Sequence, residues 1–487
     1  MYNLDSLSLK YFFEENHYFI NGAIVQKIQL PSRNEVIINL RNLNEDKPQN
    51  KKLYININPK YPHICLITEE TSEKRDIKIP LKPPMFCMQL RKYLEGAKIK
   101  EAKIVQYDRI LEFYFRTYDE TGEEIYLCLA IELMGKHSNV ILYNYDTNVI
   151  IGCAHNVGED KSKVRELYGG LPYTYPPVNI NSRHSFKGLS SILKNDENIN
   201  SQIDNYYADL QEQNIFNSLK TKLLITVNKN LKHINSSVEK IIKQTKSKEK
   251  AEQYRKNGDL IMANLYNLND FSPFVDVVDY ETNLPVHIEL DETKSLKDNA
   301  QRYYKLYSKA KIALEKSLDM LKELMAKQEY SEQVLYSINA ANCIQDLLEI
   351  QEELAGQEKN DNKSSKQNKK QENQIFLTTI HKSPFTIYIG KNNKQNDYIV
   401  SKLARKNDLW FHTHNCAGSH VLLRAEAGNN FDDGIIFECA KLAKQYSSAK
   451  NSSKVGVIYT EAKNLKKPPA ANLGYVIYKG EQEIIVD

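Results

Sequence analysis

Cysteine is sparse and unpaired in this chain of 487 residues. The seven cysteines are scattered, and no two of them lie within four residues of each other. An odd, scattered set argues against a disulfide framework and for a reducing compartment. The spacing also lacks the closely spaced cysteine pairs of structural zinc sites, so the sequence predicts no disulfides and indicates no metal or other cofactor.

Long apolar runs are missing as well. No segment approaches the roughly 20 consecutive apolar residues that a membrane-spanning helix needs. The N-terminal stretch "MYNLDSLSLKYFFEENHYF" places acidic residues and a lysine too early for the apolar core of an export signal. We therefore expect a soluble, cytoplasmic protein without a membrane partner.

The sequence also contains none of the common catalytic signatures. We find no phosphate-binding P-loop, no dinucleotide-binding glycine motif and no series of serine, histidine and aspartate typical of hydrolases. We accordingly expect a binding protein rather than an enzyme, with no catalytic residues.

Net charge is small over the whole chain but is concentrated in its last quarter. The formal charge is +4, and residues 375–487 alone carry thirteen lysines and two arginines against ten acidic residues. The basic residues recur in polar surroundings, in "GKNNKQND", "KLARKND", "KLAKQYSSAKNSSK" and "NLKKPP". This spacing is what contact with a phosphate backbone requires, and a solvated lysine-rich face is the alternative.

Hydropathy patterning predicts an α+β multidomain protein. Residues 1–180 alternate short β-type runs with amphipathic pieces, and "PPMFCMQLRKYLEGAKI" has the proline and glycine that bound a helix. The predicted regions are a mixed α+β N-terminal domain (1–180), a first coiled-coil helix region (181–270), a β-hairpin tip (271–295), a second coiled-coil helix (296–356), a polar flexible linker (357–374) and an α+β C-terminal domain (375–487).

Two apolar stripes predict that the middle helices pair. Val227, Leu231 and Ile241 belong to the first stripe, and Ala300 and Leu318 to the second. The hairpin between them reverses the chain and lets the stripes meet as an antiparallel two-helix arm. The alternative is that each stripe faces a separate core.

The stretch "NDLWFHTHNCAGSHVLLR", residues 407–424, contains the only tryptophan of the chain and three of its eleven histidines. From the residues alone this stretch is a half-buried strand followed by a tight turn, a polar surface that recognises nucleic acid, or a metal site, and the missing cysteine pairs disfavour the metal site.

Longer motifs resemble one known family over nearly the whole chain. "PPMFCMQLRKYLEGAKI", "QYDRILEF", "IELMGKHSNVIL" and "GGLPYTYPP" are similar to the N-terminal domain of the NFACT family, often labelled fibronectin-binding proteins. "NAQRYYKLYSKAKIALE" resembles its second coiled-coil helix. "GKNNKQNDYIVSKLARKNDLWFHTHNCAGSHVLLR", "AKNSSKVGVIYT" and "KKPPAANLGYVIYK" resemble its C-terminal NFACT-R domain.

The resemblance implies a role in ribosome quality control. Family members bind large ribosomal subunits obstructed by peptidyl-tRNA, recruit alanyl-tRNA and support template-free addition of C-terminal alanines, while the peptide-bond chemistry belongs to the ribosome. The implied partners are the large subunit with its rRNA and stalk-base proteins, peptidyl-tRNA, alanyl-tRNA and a small quality-control cofactor protein. The alternatives are an RNA-binding family member without tailing activity and a fibronectin-binding surface adhesin.

A DNA glycosylase related to the N-terminal domain is a further alternative, but the N-terminal proline and adjacent glutamate of that chemistry are absent, since Met1 precedes Tyr2-Asn3.

The resemblance also implies two sets of site residues. The tRNA-binding set of the N-terminal domain is Asp108, Arg109, Glu132, Leu133, Met134, Lys136 and His137. The RNA-binding set of the NFACT-R domain is Lys391, Asn392, Lys394, Asn396, Lys402, Arg405, Trp410, His412, Gly418, Ser419, His420, Arg424, Lys450 and Lys454. In the second set we expect Trp410, His412, His420 and Arg424 to offer flat or cationic surfaces to RNA.

Two departures from the family pattern are visible. Members usually carry a helix-hairpin-helix segment before the arm, whereas here the chain passes from "YPPVN" almost directly into the first long helix. The usual basic loop "KKPKGAKPG" reads "KKPPAANLG", which removes two lysines and one glycine. Both changes bear on RNA affinity and on selectivity for alanyl-tRNA.

Overall fold

The computed structural model describes residues 1–43, 48–105, 108–118, 121–159, 164–177, 187–194, 196–245, 248–361, 375, 377–426, 428–469 and 471–487. The chain forms two compact units, Met1–Ile215 and Phe216–Asp487. The boundary between the two units falls inside one long helix, Ile199–Thr245. The two units do not correspond to the domain boundaries predicted from the sequence, which stay predictions.

The first unit is built on a nine-stranded antiparallel sheet. Its spatial order is β4-β3-β2-β1-β5-β6-β7-β8-β9, so one connection, between β4 and β5, leaves the simple hairpin sequence. The strands are β1 Ile24–Gln29, β2 Glu35–Asn42, β3 Gln49–Asn56, β4 His63–Ile67, β5 Lys98–Ile104, β6 Ile110–Tyr118, β7 Glu124–Glu132, β8 Asn139–Asn144 and β9 Ile150–Cys153.

Helices cover the main core of this sheet. They are α1 Ser6–Ile20, α2 Glu69–Lys74, α3 Met85–Leu94 and the start of α4 Ile199–Thr245. The helix α3 follows Pro84 and is succeeded by Gly96 at a φ of +84°, a left-handed conformation that suits glycine, as its sequence predicts. A buried ion pair between Arg75 and Asp204 (2.7 Å) fixes the first turns of α4 to this unit.

The arm occupies the first part of the second unit. It consists of the rest of α4 with α5 Lys248–Ala263, the hairpin β10 Phe274–Val278 and β11 Pro285–Glu289, α6 Leu296–Ala340 and α7 Ile344–Asp361. The helix α7 therefore extends into the first five residues of the predicted linker 357–374, of which 362–374 lie outside the described residues.

The two long helical segments pack together at both ends of the arm. Near the hairpin, Leu260 and Ile261 pack with Ala300, and at the other end Val227 and Leu231 share a core with α6 and α7. Leu318 and Met325, midway along the second stripe, are exposed. The structure confirms the multidomain α+β class with a long helical pair and a β-hairpin, although the apolar stripe is not buried along its whole length.

A six-stranded antiparallel sheet forms the last part of the second unit. Its order is β12-β13-β15-β14-β16-β17. The helix α9 packs on one face, and α8 with the π-helical turn Ile399–Leu403 packs on the other. The elements are β12 Thr378–Lys382, β13 Phe385–Gly390, α8 Asn393–Tyr398, β14 Leu409–Thr413, β15 His420–Ala425, α9 Asp433–Gln445, β16 Val455–Glu461 and β17 Gln482–Val486.

Candidate RNA-binding surfaces

Asp108 and Arg109 lie in the turn before β6, and both are half-buried. The Asp108 carboxylate accepts the backbone N–H of Arg109 (2.7 Å), while the Arg109 guanidinium donates to the carbonyl oxygen of Leu4 (3.2 Å). Partial burial lowers the pKa of Arg109, and Asp108 opposes that shift. The two charges thus occupy a turn next to the sheet rather than interrupt an apolar strand.

A main-chain hydrogen bond joins this turn to the second predicted motif. The N–H of Leu133 donates to the carbonyl oxygen of Arg109 (2.9 Å), and the Leu133 side chain is in the core. The chain then forms a 3-10 turn, Gly135–His137, in which Lys136 and His137 are exposed and which the half-buried Met134 precedes. Two motifs more than twenty residues apart therefore form one local surface.

Glu132 is a buried anchor beneath this surface. Its carboxylate accepts hydrogen bonds from Arg165 Nη1 (3.1 Å) and from the Tyr173 hydroxyl (3.0 Å), and it is fully buried. Burial raises the pKa of Glu132, and the Arg165 guanidinium opposes that rise. Neither the Glu132 nor the Leu133 side chain is accessible in this structure. Their contact with tRNA stays a prediction.

Sequence reasoning missed Arg165 as a functional residue. No local motif surrounds it, and its partner Glu132 is distant along the chain. Tyr173 lies in "GGLPYTYPP", which carried a family resemblance but no assigned role.

The aromatic cluster of the last domain is buried at Trp410 and His420, while His412 is half-buried. Trp410 is 1% exposed and packs with Ile399, Leu422 and Ile458. His412 stacks on the Trp410 ring with centroids 5.8 Å apart, and His420 meets it edge-on at 5.1 Å. The expectation that Trp410 and His420 offer stacking surfaces to RNA is wrong, because α8 and its π-helical turn cover this face of the sheet.

Burial keeps both histidines of this cluster neutral. Desolvation lowers the pKa of His412 to about 4 and that of His420 well below its ordinary value. Trp410 Nε1 and His420 Nδ1 are buried without a hydrogen-bond partner in the described part of the chain. The cluster is an uncharged core at neutral pH.

Arg424 serves a structural ion pair. Its guanidinium donates to the Asp408 carboxylate (2.7 Å) and to the carbonyl oxygen of Leu403 (2.7 Å), and it lies over the Tyr388 ring. Arg424 therefore fixes the end of the π-helical turn to β14 and β15, and its contact with RNA stays a prediction.

The predicted residues of "GKNNKQND" and "CAGSH" face the arm. Asn392 and Asn396 are buried, and Lys394 binds Glu352 of α7 (2.7 Å). Gly418 exchanges two hydrogen bonds with Gln333 of α6, at 2.7 and 3.0 Å.

Gly418 has no room for a side chain, because an added Cβ would meet Thr413 Oγ1 at 2.9 Å. Ser419 is also buried, with its N–H bonded to the carbonyl oxygen of Tyr446. The group that approaches the Gly418 backbone closely belongs to this chain, because it is the Gln333 side chain.

Exposed cations remain on the last domain. Lys402 and Arg405 lie at and just after the π-helical turn, and Lys450 and Lys454 precede β16. Lys391 is half-buried beside α8. These cations stay predicted contacts for RNA phosphates.

Metal clusters and membrane spans are both absent from the described residues. There, no three histidine, cysteine or acidic side chains lie together in a way that would hold a metal ion. Within the same ranges, no helix is both long and apolar enough to cross a membrane.

Comparison with known proteins identifies the family. The family model described as NFACT N-terminal and middle domains matches residues 5–202 and 181–373, and that of the NFACT protein RNA binding domain matches residues 374–483. The chain is 28% identical to "Rqc2 homolog RqcH" of Bacillus subtilis, over 96% of this chain and 95% of that protein. It is 30% identical to the protein of the same name from Streptococcus suis, over 99% and 98% of the two chains.

The alignment with the Bacillus subtilis protein spans 554 positions, more than this chain has residues, so part of that relative has no counterpart here. A solved C-terminal part of the Streptococcus suis fibronectin/fibrinogen-binding protein is 26% identical over 54% of this chain and 94% of that one, with a TM-score of 0.36. That TM-score is too low to add to the fold, whereas the family models together cover most of the sequence. The chain belongs to the NFACT family of ribosome quality-control factors.

Proposed function

We propose that the protein binds large ribosomal subunits obstructed by peptidyl-tRNA, recruits alanyl-tRNA and supports template-free alanine tailing of stalled nascent chains. The similarity to RqcH proteins over nearly the full length supports this role. The observation that carries it is the hydrogen bond from the Leu133 N–H to the Arg109 carbonyl, which builds one surface from the two motifs.

This surface has the chemistry to hold tRNA. A guanidinium can form bidentate hydrogen bonds with a phosphate or with a guanine edge. Arg109 is oriented by its hydrogen bond to the Leu4 carbonyl. Asp108 stays half-exposed and can accept from a base amino group, while Lys136 and His137 add exposed donors. The Glu132–Arg165 pair keeps the loop that bears them in place from below.

In this proposal the protein binds RNA and selects the tRNA. Peptide-bond formation belongs to the ribosome, and the exposed cations of the last domain bind RNA phosphates. The partners in this proposal are rRNA and stalk-base proteins of the large subunit, peptidyl-tRNA, alanyl-tRNA and a small quality-control cofactor protein.

The test is to purify tagged protein from cells and to sequence the bound RNA. Wild type should carry large-subunit rRNA and be enriched in alanine tRNA. The double variant Asp108→Ala, Arg109→Ala should keep the rRNA and lose the tRNA and the alanine tails. It should melt within a few degrees of wild type, because it removes half-buried groups whose hydrogen bonds contribute modest net energies of about 1 kcal/mol each.

The matched control is Glu101→Ala, Lys103→Ala, an exposed ion pair (2.7 Å) on β5 of the same unit. It should keep tRNA and tailing. Normal tRNA content in a well-folded Asp108, Arg109 double variant would remove this surface from the function. Retained tRNA without alanine tails in the wild type would identify an RNA-binding member of the family that does not support tailing.

A further inference from the structure

The helix α7 has two chemically different faces. Leu347 and Ile350 are buried in the core shared with Val227, Val334 and Ile338 of the arm. Three glutamates of α7, Glu349, Glu352 and Glu353, lie on another face, toward the loop and helix that begin at Lys391. The apolar face therefore anchors α7 in the arm, while the acidic face contacts the last domain.

Two of these glutamates are buried against neutral donors. Glu349 accepts from Asn392 Nδ2 (2.8 Å) and from Gln395 Nε2 (2.8 Å), and Glu353 accepts from Asn393 Nδ2 (2.9 Å) and from the Tyr330 hydroxyl.

Burying a carboxylate is costly, and amide donors offset only part of that cost. Burial accordingly raises the pKa of Glu353. The contact has a specific hydrogen-bond geometry, but burying the carboxylate charge costs free energy.

The third glutamate, Glu352, engages a lysine that the sequence assigns to RNA. Lys394 Nζ lies 2.7 Å from its carboxylate. The face at Asn392–Gln395 thus presents amide N–H groups and one ammonium group, all directed at anionic oxygens. These are the donors that proteins commonly use for phosphate oxygens in nucleic acids.

A second contact closes the same interface without any charge. Gln333 of α6 donates to the Gly418 carbonyl (2.7 Å) and accepts the Gly418 N–H (3.0 Å). Asn396 connects the two contacts, because its side chain bonds both the Gly418 carbonyl and the His420 N–H. Separating the last domain from the arm therefore breaks an acidic contact and a neutral one.

We propose that the acidic face of α7 (Glu349, Glu352, Glu353) stands in for RNA phosphates and competes with RNA for the amide and lysine face at Asn392–Gln395. This inference rests on the proposed function, since it names the surface that RNA would take. We call the arrangement in this structure closed: the three carboxylates accept hydrogen bonds from the amide and lysine donors. RNA phosphates displace them, and the exposed Arg405, which follows the π-helical turn after α8, adds attraction for RNA.

The test compares two charge-matched triple variants of the full chain. Glu349→Gln, Glu352→Gln, Glu353→Gln keeps side-chain shape and a hydrogen-bond acceptor at each position. Glu315→Gln, Glu323→Gln, Glu329→Gln removes the same charge from exposed positions on α6. Affinity for bulk tRNA, measured by fluorescence anisotropy at one salt concentration, should rise roughly tenfold in the α7 variant, equivalent to about 1.4 kcal/mol, and much less in the control.

Gln333→Ala is an independent test of the same competition, because it changes no charge. It should also tighten tRNA binding severalfold, since it weakens the closed arrangement from the neutral side. Backbone hydrogen exchange at residues 344–356 should increase when tRNA is added to wild type. Melting curves show that each variant is folded.

The outcomes separate this inference from the proposed function. If wild type binds tRNA but the α7 variant matches its control and Gln333→Ala matches wild type, the interface is a permanent structural joint and the competition is overturned. If wild type and all folded variants fail to bind either tRNA or isolated large subunits, the proposed function itself fails.

Discussion

The two predicted RNA surfaces use their buried acids in opposite ways. In the first unit, Glu132 is fully buried and paired with the Arg165 guanidinium. In the second unit, Glu349 and Glu353 are buried against amides and a hydroxyl. A buried carboxylate with a cation is a fixed structural element, whereas one held by neutral groups can be exchanged for a better-matched anion or lost at lower cost. By this comparison Glu132 is a permanent support, whereas in the competition proposed above the contacts of Glu349 and Glu353 can be replaced.

Removing the cation from the first surface should have the largest effect. Arg165→Ala leaves the Glu132 carboxylate buried without its charge partner, and we expect a loss of about 3–5 kcal/mol in the free energy of unfolding. Denaturant unfolding measures it. The double variant Glu132→Gln, Arg165→Met should lose much less, because no charge is left unpaired. A loss below about 1 kcal/mol for Arg165→Ala would remove the distinction between the two surfaces.

Salt dependence should show how many cations of the last domain meet phosphates. With about four contacts, from Lys402, Arg405, Lys450 and Lys454, the affinity for tRNA should fall on the order of a hundredfold between about 50 and 200 mM salt, taking the duplex-DNA slope as a guide. A fall nearer a thousandfold would indicate about six contacts, including Lys391 and Lys394. The slope should steepen in the α7 triple variant, where Lys394 is released.

The aromatic cluster should affect stability and not RNA affinity. Trp410→Phe removes ring volume from a buried core, and we expect a loss of about 1–2 kcal/mol in the free energy of unfolding. The affinity of the folded variant for tRNA should be unchanged, as a titration below its melting temperature would show. Weaker binding at unchanged stability would mean that this ring meets RNA after all.

The smallest effect concerns pH. Because burial raises the pKa of Glu353, the folded protein binds that proton more tightly than the unfolded chain does. The associated stability is present at pH below the unfolded value and is lost as pH rises through the raised folded pKa. The melting temperature of wild type should therefore fall more steeply with rising pH than that of Glu353→Gln.

Tyr330, Asn393, Asp397 and Lys394 surround this carboxyl in both proteins, so their contribution cancels in the comparison. Parallel pH profiles for the two proteins would show that the fold does not raise the pKa of Glu353.

The sequence predicted what depends on short-range signals. Pro84 and Gly96 bound α3, and the β-hairpin tip predicted at 271–295 contains β10 and β11, because caps and turns are encoded within a few residues. The helix α1 was not singled out, although Asp5 caps it by accepting the Ser8 N–H (2.7 Å). Its buried residues, such as Leu9, Phe12 and Phe19, recur at helical spacing, but the exposed Leu7 and Tyr18 place apolar side chains on other faces as well and obscure that stripe.

Contacts across long sequence separations were beyond local reasoning. An alternating strand such as "LWFHT" shows that two faces differ, but not that α8 covers the face with Trp410. Likewise, lysine and asparagine in "GKNNKQND" indicate a face for anions, and the sequence does not reveal that glutamates of α7 occupy it. The residue types were informative, and their exposure was decided by tertiary packing.

The burial of Trp410 gives the molecule a built-in optical reporter. As the chain has a single tryptophan, any indole emission excited selectively at long wavelength comes from the sheet of the last domain. Unfolding of that domain exposes the ring to water and shifts its emission to the red, while the N-terminal sheet and the arm contribute tyrosine signals at shorter wavelength. The melting of one domain can thus be followed within the intact, unlabelled chain.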